Sequence, residues 1–164
     1  MNEFTLTALA EFPDQIEALY AAFPGHGTHW KPDYWDGIPS ESLTALEQLC
    51  HVRDIEIDGY HVRIDRTLHE HDPLLISLDT YRLRNERHYE RANAAEVLAA
   101  FRAARGQTLA RIANLSDEQW SRGANFEGYG AVTLRGIVHY LASHDQQHLA
   151  GLHWLLGKLN APET

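Results

Sequence analysis

Hydrophobic residues recur along this chain in steps of three and four, the spacing that places them on one face of an α-helix. Four segments show this pattern, and no alternating run of β-branched residues competes with it. Four amphipathic helices can bury their hydrophobic faces together, so the sequence predicts an all-α protein folded as a four-helix bundle. Two connections, residues 24–39 and 70–92, are longer than a simple bundle needs and predict long crossover loops.

The first two helices are marked by proline and hydroxyl residues. Pro13 is favoured in a first helical turn, which predicts that the first helix begins near it and ends before Pro24. The second and longest helix begins after Pro39 and has three candidate N-caps: Ser40, Ser42 and Thr44. Thr44 stands three residues before Glu47, the spacing of a capping box. The hydrophobic stripe of this helix comprises Leu43, Leu46, Cys50, Ile57, Ile64 and Leu68.

The third and fourth helices have equally clear signals. Asn93, followed three residues later by Glu96, predicts the start of the third helix, which ends near Asn114. Thr133 caps the fourth helix, which closes near Gly157. Three glycines before this helix predict a loop: Gly123, Gly128 and Gly130.

The fourth helix carries two histidines at positions where its hydrophobic stripe favours leucine. The stripe comprises Leu134, Ile137, Leu141, His144, His148, Gly151 and Leu155. His144 and His148 are about one turn apart, so both rings can reach one ion at a Zn–N distance of about 2.1 Å. With 11 histidines in 164 residues, about 0.7 such pairs are expected by chance. The expected burial of both histidines is stronger evidence for a shared partner, because an unpaired buried polar group costs about 1–3 kcal/mol. The pair predicts half of a metal site, with two packed or rim-exposed histidines as the alternative.

Composition narrows the class of protein. A chain of 164 residues suits one domain, and 14 basic against 23 acidic residues give a formal charge of −9. This charge repels phosphate backbones and anionic membranes, so we expect no nucleic-acid partner. Cys50 is the single cysteine, which excludes an internal disulfide and favours a reducing compartment, by default the cytoplasm. The start lacks a basic, apolar leader and no run approaches 18 apolar residues, so we expect neither export nor a membrane span.

Two polar motifs in the predicted helices resemble a known family. The second helix contains QLCHVRDIE at residues 48–56, and the fourth contains SHDQQHL at residues 143–149. Trp35 and the segment FRAARGQTL at residues 101–109 extend the likeness over most of the chain. Together these motifs resemble the DinB/YfiT-like superfamily.

The resemblance implies a bundle of up-down-down-up topology that binds a divalent metal through one histidine of the second helix and two of the fourth. In this sequence the implied ligands are His51, His144 and His148. The residues alone do not identify the third ligand, because nothing in the spacing of the histidines favours His51 over His61, His69 or His139.

Three histidines with one open coordination position are typical of catalytic zinc, whereas structural zinc normally has four protein ligands. We therefore expect Zn²⁺, with Ni²⁺ and Fe²⁺ as alternatives that also accept imidazole ligands. The family implies a metal-dependent hydrolase, or a transferase that uses a low-molecular-weight thiol, acting on a small molecule. The alternative is a stress-response or binding module in which the metal is structural. A homodimer is expected by analogy with the family.

Asp54 and Arg105 are the candidates for further roles at the site. Asp54 lies one turn after His51 and could serve as a base, although its polar stripe by itself favours a solvated face. Arg105 lies near the inner stripe of the third helix and could hold a substrate carboxylate, or its head could reach water. Asp145 points about 100° away from His144, so we expect it to bond an adjacent helix or orient a ligand indirectly, not to act in catalysis.

Overall fold

Residues 1–161 are described by a computed structural model and form seven α-helices. These are α1 (Glu3–Ala21), α2 (Ala45–Asp54), α3 (Val62–His69), α4 (Thr80–Glu86), α5 (Ala94–Ile112), α6 (Asp117–Trp120) and α7 (Leu134–Leu159). A π-helical segment, Ile55–His61, joins α2 to α3, so residues 45–69 form one continuous rod. Both α1 and this rod pack against α5 and α7, which makes the four-helix bundle. The up-down-down-up order of its helices stays a prediction.

A small three-stranded sheet adds to the bundle and corrects the all-α expectation. Its strands are β1 (Leu74–Leu75), β2 (Gly123–Phe126) and β3 (Gly130–Thr133), in the order β1-β2-β3. β2 and β3 form an antiparallel hairpin, and β1 pairs in parallel with β2. The glycines that predicted a loop instead serve the hairpin, because Gly128 and Gly130 adopt positive φ angles at its turn.

The start of α1 is also corrected. The helix begins at Glu3, where the Asn2 side chain caps it by accepting from the Thr5 N–H, and Pro13 lies inside it. A proline in a helix interior leaves the carbonyl four residues earlier without its N–H donor. Here that carbonyl belongs to Leu9, and the Arg105 side chain supplies a donor from α5. The prediction that the helix begins near Pro13 was wrong, because Pro13 lies in the interior of α1.

The other helix starts follow the predicted caps. Thr44 and Glu47 form the capping box of α2, Asn93 caps α5, and Thr133 caps α7. Ile57, which was predicted in the hydrophobic stripe, is 37% exposed. It lies in the π-helical segment, whose wider turns rotate residues away from the positions that a regular α-helix gives them.

The hydrophobic core is divided into two clusters along the bundle axis. On α7, Leu134, Ile137, Val138 and Leu141 belong to one cluster, and Leu152 and Leu155 belong to the other. Polar residues fill the gap between the clusters, and their side chains come from α2, the π-helical segment, α5 and α7. The buried members include Gln48, His51, Asp54, Glu56, Arg105, Thr108, Asp145 and His148. Within residues 1–161, no helix is long and apolar enough to span a membrane.

Candidate metal centre

Three histidine rings meet in this polar layer. The Nε2 atom of His144 lies 3.1 Å from that of His51 and 3.2 Å from that of His148. The rod of residues 45–69 supplies His51, and α7 supplies the other two. A carboxylate joins them: Glu41, in the loop before α2, has Oε1 3.6 Å from His51 Nε2 and Oε2 3.2 Å from His148 Nε2. One ligand atom from each of the four residues lies within 4.8 Å of all the others.

The spacing of these atoms fits a single divalent ion. Two nitrogens bound at about 2.1 Å in a tetrahedral arrangement are about 3.4 Å apart, close to the spacings observed here. Imidazole nitrogen and carboxylate oxygen are also ordinary zinc ligands. The donor set is therefore suited to zinc, although imidazoles serve nickel and iron as well.

Gln48 fixes the direction in which the His148 ring presents its nitrogens. The Nδ1 atom of His148 lies 2.9 Å from Oε1 of Gln48, an atom that can only accept, so Nδ1–H is the donor. Nε2 then carries the lone pair and faces the cluster. Partners of this kind commonly orient metal-binding histidines in proteins.

Burial keeps two of the rings uncharged. Desolvation, reinforced by the proximity of His148, lowers the pKa of His51 to about 4. The same two causes lower the pKa of His144 well below its ordinary value. Burial acts to raise the pKa of Glu41, but the hydrogen bond with His148 and the proximity of His51 outweigh it and lower this pKa. At neutral pH the two imidazoles are free to bind a cation, and Glu41 carries a negative charge.

The structure places Asp54 beside the cluster, but its contacts lead elsewhere. Its Oδ2 accepts the hydroxyl proton of Tyr89 and lies 2.9 Å from Nη1 of Arg87, and its Oδ1 accepts from Nε of Arg53. With 2% of its surface exposed, Asp54 is not the solvated carboxylate that the polar stripe suggested. Its role as a base stays a prediction.

Arg105 lies on the buried face of α5, near the inner stripe where it was predicted, and its head does not reach water. Its Nε and Nη2 donate to the two carboxylate oxygens of Glu56, and its Nη1 and Nη2 donate to those of Asp145. Nη1 also donates to the Leu9 carbonyl, so all five N–H groups are engaged in the protein. The carboxylates that Arg105 holds are therefore internal ones, not that of a substrate. Asp145 bonds an adjacent helix, as expected.

The chain is similar to known proteins in sequence and in fold. The family model of the DinB superfamily matches residues 8–152. The chain belongs to the DinB superfamily. The structure of YfiT from Bacillus subtilis, described as a probable metal-dependent hydrolase with an unusual four-helix bundle topology, matches with a TM-score of 0.85. The match covers 99% of this chain and 91% of that one at 18% identity, so it shows a shared fold. A comparison with curated protein sequences gives no match.

In this DinB-superfamily chain, the other histidines considered as ligands lie outside the cluster. The Nε2 atom of His61 lies 3.0 Å from the Ala104 carbonyl oxygen. His69 is exposed and bonds the carbonyl of Asp65, and the Nδ1 atom of His139 lies 3.5 Å from the hydroxyl of Thr5. The structure therefore brings His51, and none of these three, to the pair on α7.

Sequence reasoning missed Glu41. Its position in a loop gives it no helical spacing relative to any histidine, and nothing nearby in the sequence distinguishes it from other surface carboxylates. Its neighbour Ser40 was considered as a helix cap, but Thr44 takes that place. Only the folded chain brings residue 41 next to residues 51 and 148.

A groove of the DinB-superfamily bundle beside α7 lies away from the histidine cluster. This groove of about 410 Å³ runs between α1 and α7, where Phe4, Glu11 and Gln146 are among its lining residues. None of the four cluster residues lines it. The histidine cluster, and not this groove, is the candidate functional site.

Proposed function

We propose that this protein is a metal-dependent hydrolase in which His51, His144 and His148 hold a divalent ion, Zn²⁺ in the first instance. The observation that carries the proposal is the convergence of the three Nε2 atoms from two separate helices, at spacings that fit one ion. The resemblance of the fold to YfiT, described as a probable metal-dependent hydrolase, supports the same reaction class.

The residues of the chain prepare the site in three ways. Burial keeps His51 and His144 uncharged, Gln48 fixes the tautomer of His148, and the carboxylate of Glu41 adds negative charge that favours a cation. A divalent ion in such a set supplies Lewis acidity and makes water a competent nucleophile near neutral pH. The substrate is proposed to be a small molecule with an ester, amide or related bond.

A thiol transferase would use the same ligands, and a low-molecular-weight thiol would then be the second substrate. Assays with and without added thiol separate this chemistry from hydrolysis. A non-catalytic module with a structural metal is the second candidate function. The contact of Glu41 with His51 and His148 favours it, because four protein donors are typical of structural zinc sites.

The test begins with metal binding. The metal content of purified protein and its zinc affinity are measured for the wild type and for His51→Ala, His144→Ala and His148→Ala. His153→Ala is the matched control, since His153 is exposed on the same helix. We expect near-stoichiometric metal in the wild type and control and strong loss in the three variants. Equal metal content in all five proteins would exclude this site.

Activity is then measured on panels of esters and amides, and on electrophiles with added thiol, each with and without a chelator. Hydrolysis that is lost with the chelator and in His144→Ala supports the proposed reaction. Turnover only with added thiol favours the transferase. Binding of metal that raises the melting temperature without turnover in either panel favours the structural module.

A further inference from the structure

We propose that Glu41 is a displaceable fourth donor, and that the loop of residues 35–43 which carries it controls access of substrate to the histidine cluster. This inference rests on the proposed metal binding by the three histidines. It assigns to a loop residue the coordination position that the predicted three-histidine site leaves open.

Glu41 bridges the two helices that supply the histidines. Its carboxylate spans histidines from both helices, with one oxygen near His51 and the other near His148. The side chain of Glu41 is 33% exposed, whereas those of His51 and His148 are 1% and 0% exposed. Glu41 therefore lies between the buried ring nitrogens and solvent, on a side from which a ligand can approach.

The loop is seated on the bundle through Ser40. Ser40 Oγ lies 3.3 Å from Gln48 Oε1, the atom that also accepts from His148. On α7, a Cβ atom at Gly151 would overlap Ser40 Oγ and come within 2.9 Å of Ser40 Cβ. The loop reaches this position only because residue 151 lacks a side chain.

The other end of the loop rests on the same helix. The rings of Trp35 and Trp154 stack with centroids 6.3 Å apart and an interplanar angle of 16°. Between Trp35 and Ser40, Gly37 adopts a φ of 84°, a conformation that other residues rarely take. The loop is thus held against α7 at two places by side-chain contacts, while its intervening backbone lies outside the helices.

When the loop is seated, Glu41 takes the coordination position that a substrate atom would need. A seated loop gives the ion four protein donors, so a substrate atom can bind only if Glu41 moves away or the ion accepts a further ligand. Glu41 and an incoming ligand are then competitors. Removal of the carboxylate must weaken metal binding and, at the same time, strengthen binding of an exogenous ligand to the metal.

The experiment measures both quantities. Zinc affinity is obtained by competition with a chromophoric chelator, and Co²⁺-loaded protein is titrated with imidazole, a neutral probe, while its visible spectrum is followed. The variants are Glu41→Ala and Glu41→Gln. Asp36→Ala is the control, because it removes an exposed carboxylate from the same loop.

We expect zinc affinity to fall at least about tenfold in both Glu41 variants, since even loss of an outer partner costs about 10–100-fold. The Co²⁺ spectrum should change, and imidazole should bind more tightly than to the wild type. Asp36→Ala should leave all three measurements unchanged. If the wild type binds zinc and the Glu41 variants match it in affinity, spectrum and imidazole binding, this inference fails while the proposed function stands. If the wild type binds no metal, both fail.

A second pair of variants tests the seating of the loop without touching Glu41. Gly151→Ala should displace Ser40 and increase imidazole binding, as the Glu41 variants do. Adding Ser40→Gly removes the overlapping side chain and should restore the wild-type response. If Gly151→Ala leaves imidazole binding unchanged, or if Ser40→Gly does not reverse its effect, the proposed control by the loop is overturned.

Discussion

The carbonyl oxygen of Leu9 lies 2.9 Å from Nη1 of Arg105, across the interface between α1 and α5. In an uninterrupted helix this carbonyl would accept from the N–H of residue 13, but Pro13 has none. The guanidinium that takes its place also binds Glu56 and Asp145. A proline in one helix is therefore matched by an arginine in another, and the pairing ties α1 to the polar layer that contains the histidines.

Substitution of Arg105 by methionine should strongly destabilise the protein. The change removes the Arg105 donors from two buried carboxylates and from the Leu9 carbonyl, and removal of one partner from a buried ion pair costs about 3–5 kcal/mol. Urea denaturation of wild type and variant measures the free energy of unfolding. The matched control is Arg102→Met on the same helix, whose exposed pairs with Asp14 and Glu17 are worth about 0–1 kcal/mol each. Equal losses of unfolding free energy in the two variants would contradict a special role for the buried group of Arg105, Glu56 and Asp145.

Local signals predicted much of this fold because helix caps are local. The capping box of Thr44 and Glu47 and the caps at Asn93 and Thr133 depend on contacts within three residues, and all are present. The helical pattern likewise predicted the buried face of α7. The family resemblance, not residue spacing, distinguished His51 from the other histidines.

The features that the sequence did not predict depend on distant partners. Pro13 is tolerated inside α1 because Arg105, 92 positions later, bonds the carbonyl that it leaves free. Ile57 turns outward because of the π-helical segment, where Glu56 bonds Arg105 on α5. Glu41 joins the histidines only through the docking of a loop on α7. None of these contacts leaves a periodic trace in the sequence.

Replacement of Gln48 by leucine should weaken metal binding by about 10–100-fold, because His148 then loses the acceptor that fixes its tautomer. Gln48→Glu retains an acceptor at this position and should keep most of the affinity. Chelator competition measures zinc affinity in both variants, and urea denaturation of the metal-free proteins shows whether either has lost its fold. Retention of wild-type affinity by a folded Gln48→Leu protein would refute the orienting role.

Metal-free protein should lose stability as the pH falls below 6.5. The pKa of His51 is about 4 in the fold and 6.5 without it, so between these values the unfolded chain binds more protons. The stability associated with an uncharged His51 is complete above 6.5 and is lost as the pH falls toward 4. Urea denaturation in chelator compares the wild type with His51→Gln at pH 7.5 and 5. Relative to His51→Gln, the wild type should lose about 1–2 kcal/mol of unfolding free energy between pH 7.5 and pH 5. A stability difference that stays constant between the two pH values would show that His51 does not titrate this way.

Cys50 should resist alkylation in the folded protein, although it is adjacent in sequence to His51. Burial, with smaller effects from neighbouring carboxylates, raises the pKa of its thiol from 9.0 to about 12, so the reactive thiolate is about 1000-fold scarcer. Its side chain is also fully enclosed in the core. Mass spectrometry after iodoacetamide treatment at pH 8 should show no adduct on native protein and one adduct in denaturant. Rapid labelling of the native protein would contradict the burial of Cys50. If no native adduct forms, any thiol that takes part in the reaction comes from solution.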